Sequence, residues 1–330
     1  MSGGLRSQLC AILAAACALA PLPAAAAGEL VAAPIAVGIA ERAAPVVRLL
    51  FVGDVMLDDG PGRAIAAGRD PFADFADEFD RADVRIGNLE TAIASGGEPI
   101  PGKFYAFRAS PRVIDRLAGR FDALSVANNH SGDYGPEAFV ETLSLLDIAG
   151  IQAFGGGRNL AEAHQPAWIE HSGLRIAILG YNEYKPRAFE AGPDWPGVAW
   201  SEDGHVLRGI AAARAAGADI VIPFMHWGWE GEREPSPRQR ELARRMIDAG
   251  AAAVVGAHPH VTQGSETYRG RPIVYSLGNF VFDSFDSPAE REGWLLRLTV
   301  GADGVSDWQT IPAWLDDEGL PRRQPLPAPR

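Results

Sequence analysis

At 330 residues, 47% hydrophobic and 22% charged, the chain has the length and composition of a globular protein with a sizeable core. This excludes a small disulfide-stapled domain and an intrinsically disordered one. With 30 basic residues against 42 acidic, a formal net charge of −12 and no run of Lys or Arg, it offers no concentrated basic surface for a phosphate backbone, so no nucleic-acid partner is expected.

Residues 1–27 read as a signal peptide. Arg6 precedes an apolar stretch from Leu9 to Leu22, and Ala24 to Ala27 supply small residues for cleavage. Cleavage there removes both cysteines, Cys10 and Cys17, so the mature chain is expected to have no disulfide, thiolate ligand or cysteine nucleophile. The expected destination is periplasmic or extracellular. Membrane association is expected only if the segment stays uncleaved, where Ala-rich flanks extend it toward the ~20 residues of a span, or if Cys17 is lipidated. Ala14 disfavours lipidation.

An apolar, patternless linker, residues 28–46, leads into alternating strands and helices. Strands are predicted at Val46 to Val52, Val84 to Gly87, Ala123 to Ala127, Arg175 to Leu179, Ile220 to Phe224, Ala253 to Val255 and Ile273 to Tyr275. Pro71 to Phe79 sets Phe72, Phe75 and Phe79 on one helical face. Pro111 to Leu117 and Pro136 to Ala149 open with proline, and Gly150 closes the second. Ser236, Pro237 and Gln239 make a capping box for Arg238 to Ala249. The alternation predicts a largely parallel α/β sheet covered on both faces.

In such sheets ligands collect at the carboxyl ends of strands. Here those ends read Gly53-Asp54, Asn88-Leu89-Glu90, Asn128-Asn129-His130, His226-Trp227-Gly228 and Gly256-Ala257-His258-Pro259-His260. Carboxylate, carboxamide and imidazole donors from five distant loops suit Mn, Fe or Zn if the sheet brings them together. Taken singly, Gly53-Asp54 also reads as a turn, Asn128 to His130 as a helix cap, and His226 as an aromatic neighbour of Trp227 and Trp229. The two histidines flanking Pro259 have no packing role that needs both.

From Arg48 to Asp283 the ordered set Gly53-Asp54-Val55-Met56, Asn88-Leu89-Glu90, Ala127-Asn128-Asn129-His130-Ser131 with Asp133-Tyr134-Gly135, His226-Trp227-Gly228 with Glu230, Gly256 to His260 and Tyr275 to Phe280 resembles the CapA capsule synthesis proteins of poly-gamma-glutamate biosynthesis, within the metallophosphatase-like (calcineurin-like phosphoesterase) superfamily. The resemblance implies a four-layer α/β/β/α sandwich with one or two divalent ions. It implies Asp54 and His260 on one ion, Asn129, His226 and His258 on the other, Glu90 bridging, and His130 as the catalytic histidine that protonates a leaving oxygen. Metal-assisted hydrolysis of a phosphoester is the implied chemistry. Two positions depart from the superfamily: Met56 stands where a His is usual, and Glu90 where an Asp is usual, although CapA relatives share both features. Asp58 is the nearest residue able to compensate for Met56, at a spacing that also fits an exposed turn.

The expected domain spans residues 47–283, completed by C-terminal strands over 284–315 and followed by a flexible tail, 316–330. Weaker site candidates are Lys103 and Arg108, flanking Phe104, Tyr105 and Phe107, for an anionic substrate; Glu230, to orient His226; and Asn279, lining the cleft. Gly155 to Arg158 reads as a tight turn, lacking the ending of a phosphate-binding loop. His164, His171 and His205 read as surface residues. Two functional classes follow: an exported hydrolase acting on an anionic polymer or phosphoester beside envelope biosynthesis machinery, or a non-catalytic scaffold binding such a polymer.

Overall fold

The computed structural model describes residues 45–185 and 187–323. The signal peptide, both cysteines, residues 28–44 of the linker and the end of the tail lie outside the described residues. Among the described residues no helix is long and apolar enough to cross a membrane.

The first strand, Val47–Val55, shows how the layers arise. Its period of two sends Leu50, Val52 and Val55 into one apolar cluster and Val47, Leu49 and Phe51 into another, so the strand is buried on both faces. It pairs in parallel with Val84–Leu89, which continues through Ala123–Ser125 to Gln152–Phe154. On its other edge the antiparallel hairpin Glu292–Gly301 and Gly304–Leu315 extends the sheet, and Asn279–Val281 pairs in parallel with its carboxyl end. The second sheet runs Thr262–Tyr268, Arg271–Leu277, Val254–Ala257, Ile220–His226, Leu174–Asn182 and Ala167–His171.

Alternation repeats there. Ile220, Ile222, Ile176, Ile178 and Val255 face the inner cluster shared with the first sheet, while Val221, Met225, Ala177, Leu179 and Val254 face outward. Helices Asp59–Ala66, Ala76–Arg81 and Gly135–Ile148 cover the outside of the first sheet. Asp203–Ala215 and Pro237–Asp248 cover the outside of the second. The result is the four-layer α/β/β/α sandwich. Phe72, Phe75 and Phe79 are all buried in the first outer layer, with the expected helix divided into a 3-10 turn, Ala73–Phe75, and Ala76–Arg81. The capping box at Ser236 and Gln239 is present in both directions.

The tail needs correction at its start. Asp316 is buried, its carboxylate accepts from the backbone of Glu318 and Leu320, and it pairs with Arg322 at 2.6 Å. Pro321–Arg322 adds a short strand beside Gly304–Leu315. A proline-rich composition suggested mobility, but one buried carboxylate folds this turn back onto the sheet.

Candidate metal centre

Both sheets end their parallel strands at one place. Asp54 lies at the end of Val47–Val55, Glu90 directly follows Val84–Leu89, Asn129 and His130 follow Ala123–Ser125, and His226 ends Ile220–His226. His258 and His260 follow Val254–Ala257. Close backbone passage sets the first of these. A Cβ on Gly53 would lie 1.8 Å from the Gly278 carbonyl oxygen, so only glycine lets the strand run against the turn that carries Asn279. Asp54 N then donates to Gly278 O at 3.0 Å, and Asp54 stands opposite Asn279 in the parallel pairing.

Glu90 is the centre of the cluster. It is 0% exposed, and its Oε1 has no hydrogen-bond partner among the described residues. That oxygen lies 3.6 Å from His226 Nε2, 3.8 Å from His260 Nε2 and 4.0 Å from His130 Nε2. Two groups of closely spaced donors share it: Asp54, Glu90 and His260, and Glu90, His226 and His258. Asn129 Oδ1, 2.7 Å from His226 Nε2, joins the second.

Three of the four imidazoles, those of His260, His130 and His226, have a polar neighbour behind them. His260 Nδ1 lies 2.9 Å from Asn279 Oδ1, and Asn279 in turn donates to the carbonyls of His260 and Glu290. His130 Nδ1 lies 2.7 Å from Asp133 Oδ2, which assigns hydrogen to Nδ1 and turns Nε2 toward Glu90. Asn88 Nδ2 donates to Asp54 Oδ1 at 2.8 Å and Glu90 Oε2 at 3.2 Å, with His226 Nδ1 3.3 Å away. Asn128 clamps the loop, donating to Asn88 Oδ1 and Leu89 O and accepting from His130 N. His258 and His260 both sit at positive φ, 98° and 57°, a strained conformation for residues with a Cβ.

The electrostatics fit a cation. Burial, followed by the Asp54 charge, pushes Glu90 well above the usual carboxylate range. Burial also opposes ionisation of Asp54, but hydrogen bonding and the charge of His260 outweigh it and hold Asp54 below its ordinary value. Burial, reinforced by neighbouring imidazoles, holds His226 and His258 well below the usual histidine value, so both are neutral with a lone pair to give. Neither ring nitrogen of His258, itself 0% exposed, has a hydrogen-bond partner among the described residues. Orphaned buried donors beside two close carboxylates are costly without a cation, and the mixed O/N set suits a divalent transition metal.

The structure corrects several expectations. Glu230 is exposed and groups with His258 and His260 at the mouth; the side chain against His226 Nδ1 is Asn88. Arg108 faces away from the centre, donating to the Gly96 and Gly97 carbonyls and stacking over Tyr134. Asp58 accepts from Arg108 N at 2.7 Å and belongs to none of the donor groups. Met56 is fully buried with Phe107, Phe282 and Leu315. Lys103 is drawn into the site, with Nζ 2.6 Å from Asn129 O and ion-paired to Asp133. His164 and His205 are half-buried, their rings 5.1 Å apart. The sequence reading gave no site role to Asp133, Asn88 or Tyr184, whose ring lies 3.9 Å from His258. Asp133 had a signal in its three-residue spacing from His130 within one turn.

Residues 48–284 match the family described as bacterial capsule synthesis protein PGA_cap. The PGA biosynthesis protein CapA of Bacillus subtilis is 34% identical over 275 residues, covering 79% of this chain and 70% of that one. The capsule biosynthesis protein CapA of Bacillus anthracis is 37% identical over 166 residues, covering 49% of this chain and only 40% of that one. Among solved structures, the NAD nucleotidase NadN of Haemophilus influenzae aligns with a TM-score of 0.50 at 13% identity, over 84% of this chain and 53% of that one, a likeness of fold. With the layered sandwich, the matched residues and these relatives together, the chain belongs to the PGA_cap family of bacterial capsule synthesis proteins, built on a metallophosphatase-like fold.

Proposed function

We propose that the protein is an exported, divalent-metal hydrolase of phosphoesterase type serving capsule or poly-gamma-glutamate biosynthesis. The observation that carries this reading is Glu90 Oε1, buried, without a hydrogen-bond partner among the described residues, and within 4.0 Å of nitrogens on His226, His260 and His130. Asp54, Glu90 and His260 would hold one ion, and Glu90, Asn129, His226 and His258 a second. A divalent ion in such a site supplies a Lewis acid for a substrate oxygen and acidifies water at neutral pH.

The chain's own residues supply the rest. Asp133 and Lys103 fix the loop of His130, whose Nε2 side faces the centre and can pass a proton to a departing oxygen. Burial, outweighing Asp133, lowers His130 below its ordinary value, so the free ring keeps its one hydrogen on Nδ1 and takes up a second at Nε2 before it can give one away. Asn279 and Asn88 orient the ligands. Export rests on the pattern of residues 1–27, and the residue types in the donor groups support Mn, Fe or Zn.

One observation favours a second reading, a non-catalytic envelope scaffold. Met56 is locked into an apolar cluster, so the Asp54 side has one donor fewer than the superfamily pattern. Metal content per chain, measured on protein purified without chelator, separates the two. About two equivalents, lost in a His258→Ala, His260→Ala double variant, support the hydrolase. No bound metal after reconstitution with Mn, Fe and Zn sinks it. His130→Ala adds the second arm: a hydrolase keeps its metal and loses turnover, whereas a scaffold keeps its cellular function.

A further inference from the structure

His164, His205 and Tyr181 form a second cluster of polar side chains, and none of them belongs to the donor groups of the candidate centre. His164 follows the short helix Leu160–Ala163, in the connection that leads from Gln152–Phe154 in the first sheet to Ala167–His171 in the second. His205 lies on the outer helix Asp203–Ala215, and Tyr181 near the end of Leu174–Asn182. The rings of His164 and His205 are 5.1 Å apart between centroids, at 81°, and those of His164 and Tyr181 are 5.9 Å apart. Gly209, one turn beyond His205 on the same helix face, brings the helix down onto the tyrosine. A Cβ there would lie 2.2 Å from the Tyr181 hydroxyl oxygen, which only glycine avoids.

All three side chains carry a buried polar atom without a hydrogen-bond partner among the described residues: His164 Nε2, His205 Nδ1 and the Tyr181 hydroxyl. Tyr181 itself is 1% exposed. Stacking of two imidazoles accounts for the ring contact but not for three orphaned atoms on neighbouring residues, each of which costs stability unless a ligand satisfies it. The spacing fits an ion. Two imidazoles sharing a tetrahedral ion at nitrogen distances of about 2.0–2.1 Å stand about 5 Å apart between centroids, and an imidazole and a phenol about 6 Å. Burial, reinforced by His205, holds His164 below the usual histidine value, so its ring is neutral and has a lone pair to give. Glu190 sets a negative charge near His164 and Arg208 a positive one, which leaves no net acidic pull for a hard ion such as Ca or Mg. Imidazole donors select a borderline transition ion instead.

We propose that His164, His205 and Tyr181 form a structural site for one divalent transition ion, zinc or copper, with the two imidazoles as its principal ligands and the phenol oxygen as a weaker third. Bound there, the ion clips the connection between the two sheets to the outer helix that covers the second. It adds one equivalent to whatever the candidate centre holds and does not depend on that centre.

Zinc is the probe. The full chain, stripped with chelator, and its His258→Ala, His260→Ala double variant are loaded with zinc and desalted, and equivalents per chain and melting temperature are read on each. The double variant is expected to keep one equivalent and to melt higher with it than without. In that background His205→Ala should weaken zinc binding at least about 100-fold, more than the loss of an outer partner costs, and abolish the rise in melting temperature; Tyr181→Phe should weaken it by about tenfold. His171→Gln, at a histidine whose Nδ1 lies 3.0 Å from the Ser172 hydroxyl, should change nothing. Should the double variant fail to fold, the otherwise unaltered chain decides: His205→Ala should lower its total by one equivalent. A folded double variant that takes up no zinc, uptake indifferent to His205→Ala, or equal sensitivity to His171→Gln overturns the site and leaves the orphaned atoms to water. Failure of the candidate centre reads separately, as one equivalent that is lost with His205 and kept without His258 and His260.

Discussion

On one side of Glu90, Asn129, His226 and His258 bring three donors from three separate strand ends; on the other, Asp54 and His260 bring two. Met56, two residues after Asp54, offers no donor there and instead packs with Phe107, Phe282 and Leu315. Phe107 and Phe282 in turn lie against the rings of His130 and His260, both at 4.6 Å between centroids. An apolar cluster therefore stands against the rings of His130 and His260. The richer half takes its support from polar residues, Asn88 and Asn128. On the reading proposed above, the poorer half should hold its ion more weakly and depend more on each remaining partner.

The largest effect is expected where the halves meet. Glu90→Gln keeps the volume but removes the charge that both donor groups share, so it should empty both positions, while His226→Ala should empty only the richer one. Elemental analysis of the two variants reads this directly, and equal losses would break the comparison. Next comes Asn279→Ala, which frees the His260 ring and should weaken metal binding at the poorer half by about 10–100-fold while sparing the other. Competition with a chelator should then show one weakened equivalent and one unchanged. Met56→His sharpens the contrast from the other direction. Without metal it buries a polar ring among phenylalanines and should cost about 1–3 kcal/mol of stability. If Met56 occupies a vacant ligand position, Mn or Zn should restore the melting temperature, and the same loss with and without metal refutes that view.

Much of this arrangement was readable beforehand, and the parts that were not share a cause. Short apolar runs in Val47–Val55 and Ile220–His226 announce strands buried on both faces, and the residues after each strand announce donors. The Ser236 cap needed only local spacing. Partner choice did not follow in the same way. Glu230, four residues after His226, was the local candidate to orient it, yet the sheet register brings Asn88 there from 138 residues away. Arg108 sits beside the aromatic segment in sequence, but two glycine carbonyls capture its guanidinium. Asp316 looked like the start of a tail because its proline-rich surroundings hide a carboxylate that folds its own turn. Local chemistry predicts which groups are present; strand pairing decides which of them meet.

The smallest expected effect lies in an ion-pair network outside the centre. Glu183, just before Tyr184 and Lys185, is held by Arg238, which also pairs with Asp203 at 2.6 Å; Arg245 joins Asp203 as well. This network ties the segment after Leu174–Asn182 to helices Asp203–Ala215 and Pro237–Asp248, whereas the segment of Phe104 is held by Asp133, through Lys103 and the Phe107 backbone. The hydrogen bond from Arg238 lowers the Asp203 carboxyl against the opposing effect of burial, with Arg245 adding to it. A depressed folded-state value means that unfolding takes up protons in acid. The contribution is thus complete above the ordinary aspartate value and is lost as pH falls through the lowered one. Asp203→Asn should cost about 0.5–1 kcal/mol at pH 7, because the pairs are partly exposed, and nothing once the wild-type carboxyl is protonated. Urea melts of both proteins should therefore differ at neutral pH and draw together as pH falls below the ordinary aspartate value. A stability loss that persists unchanged as pH falls would show that Asp203 acts through packing.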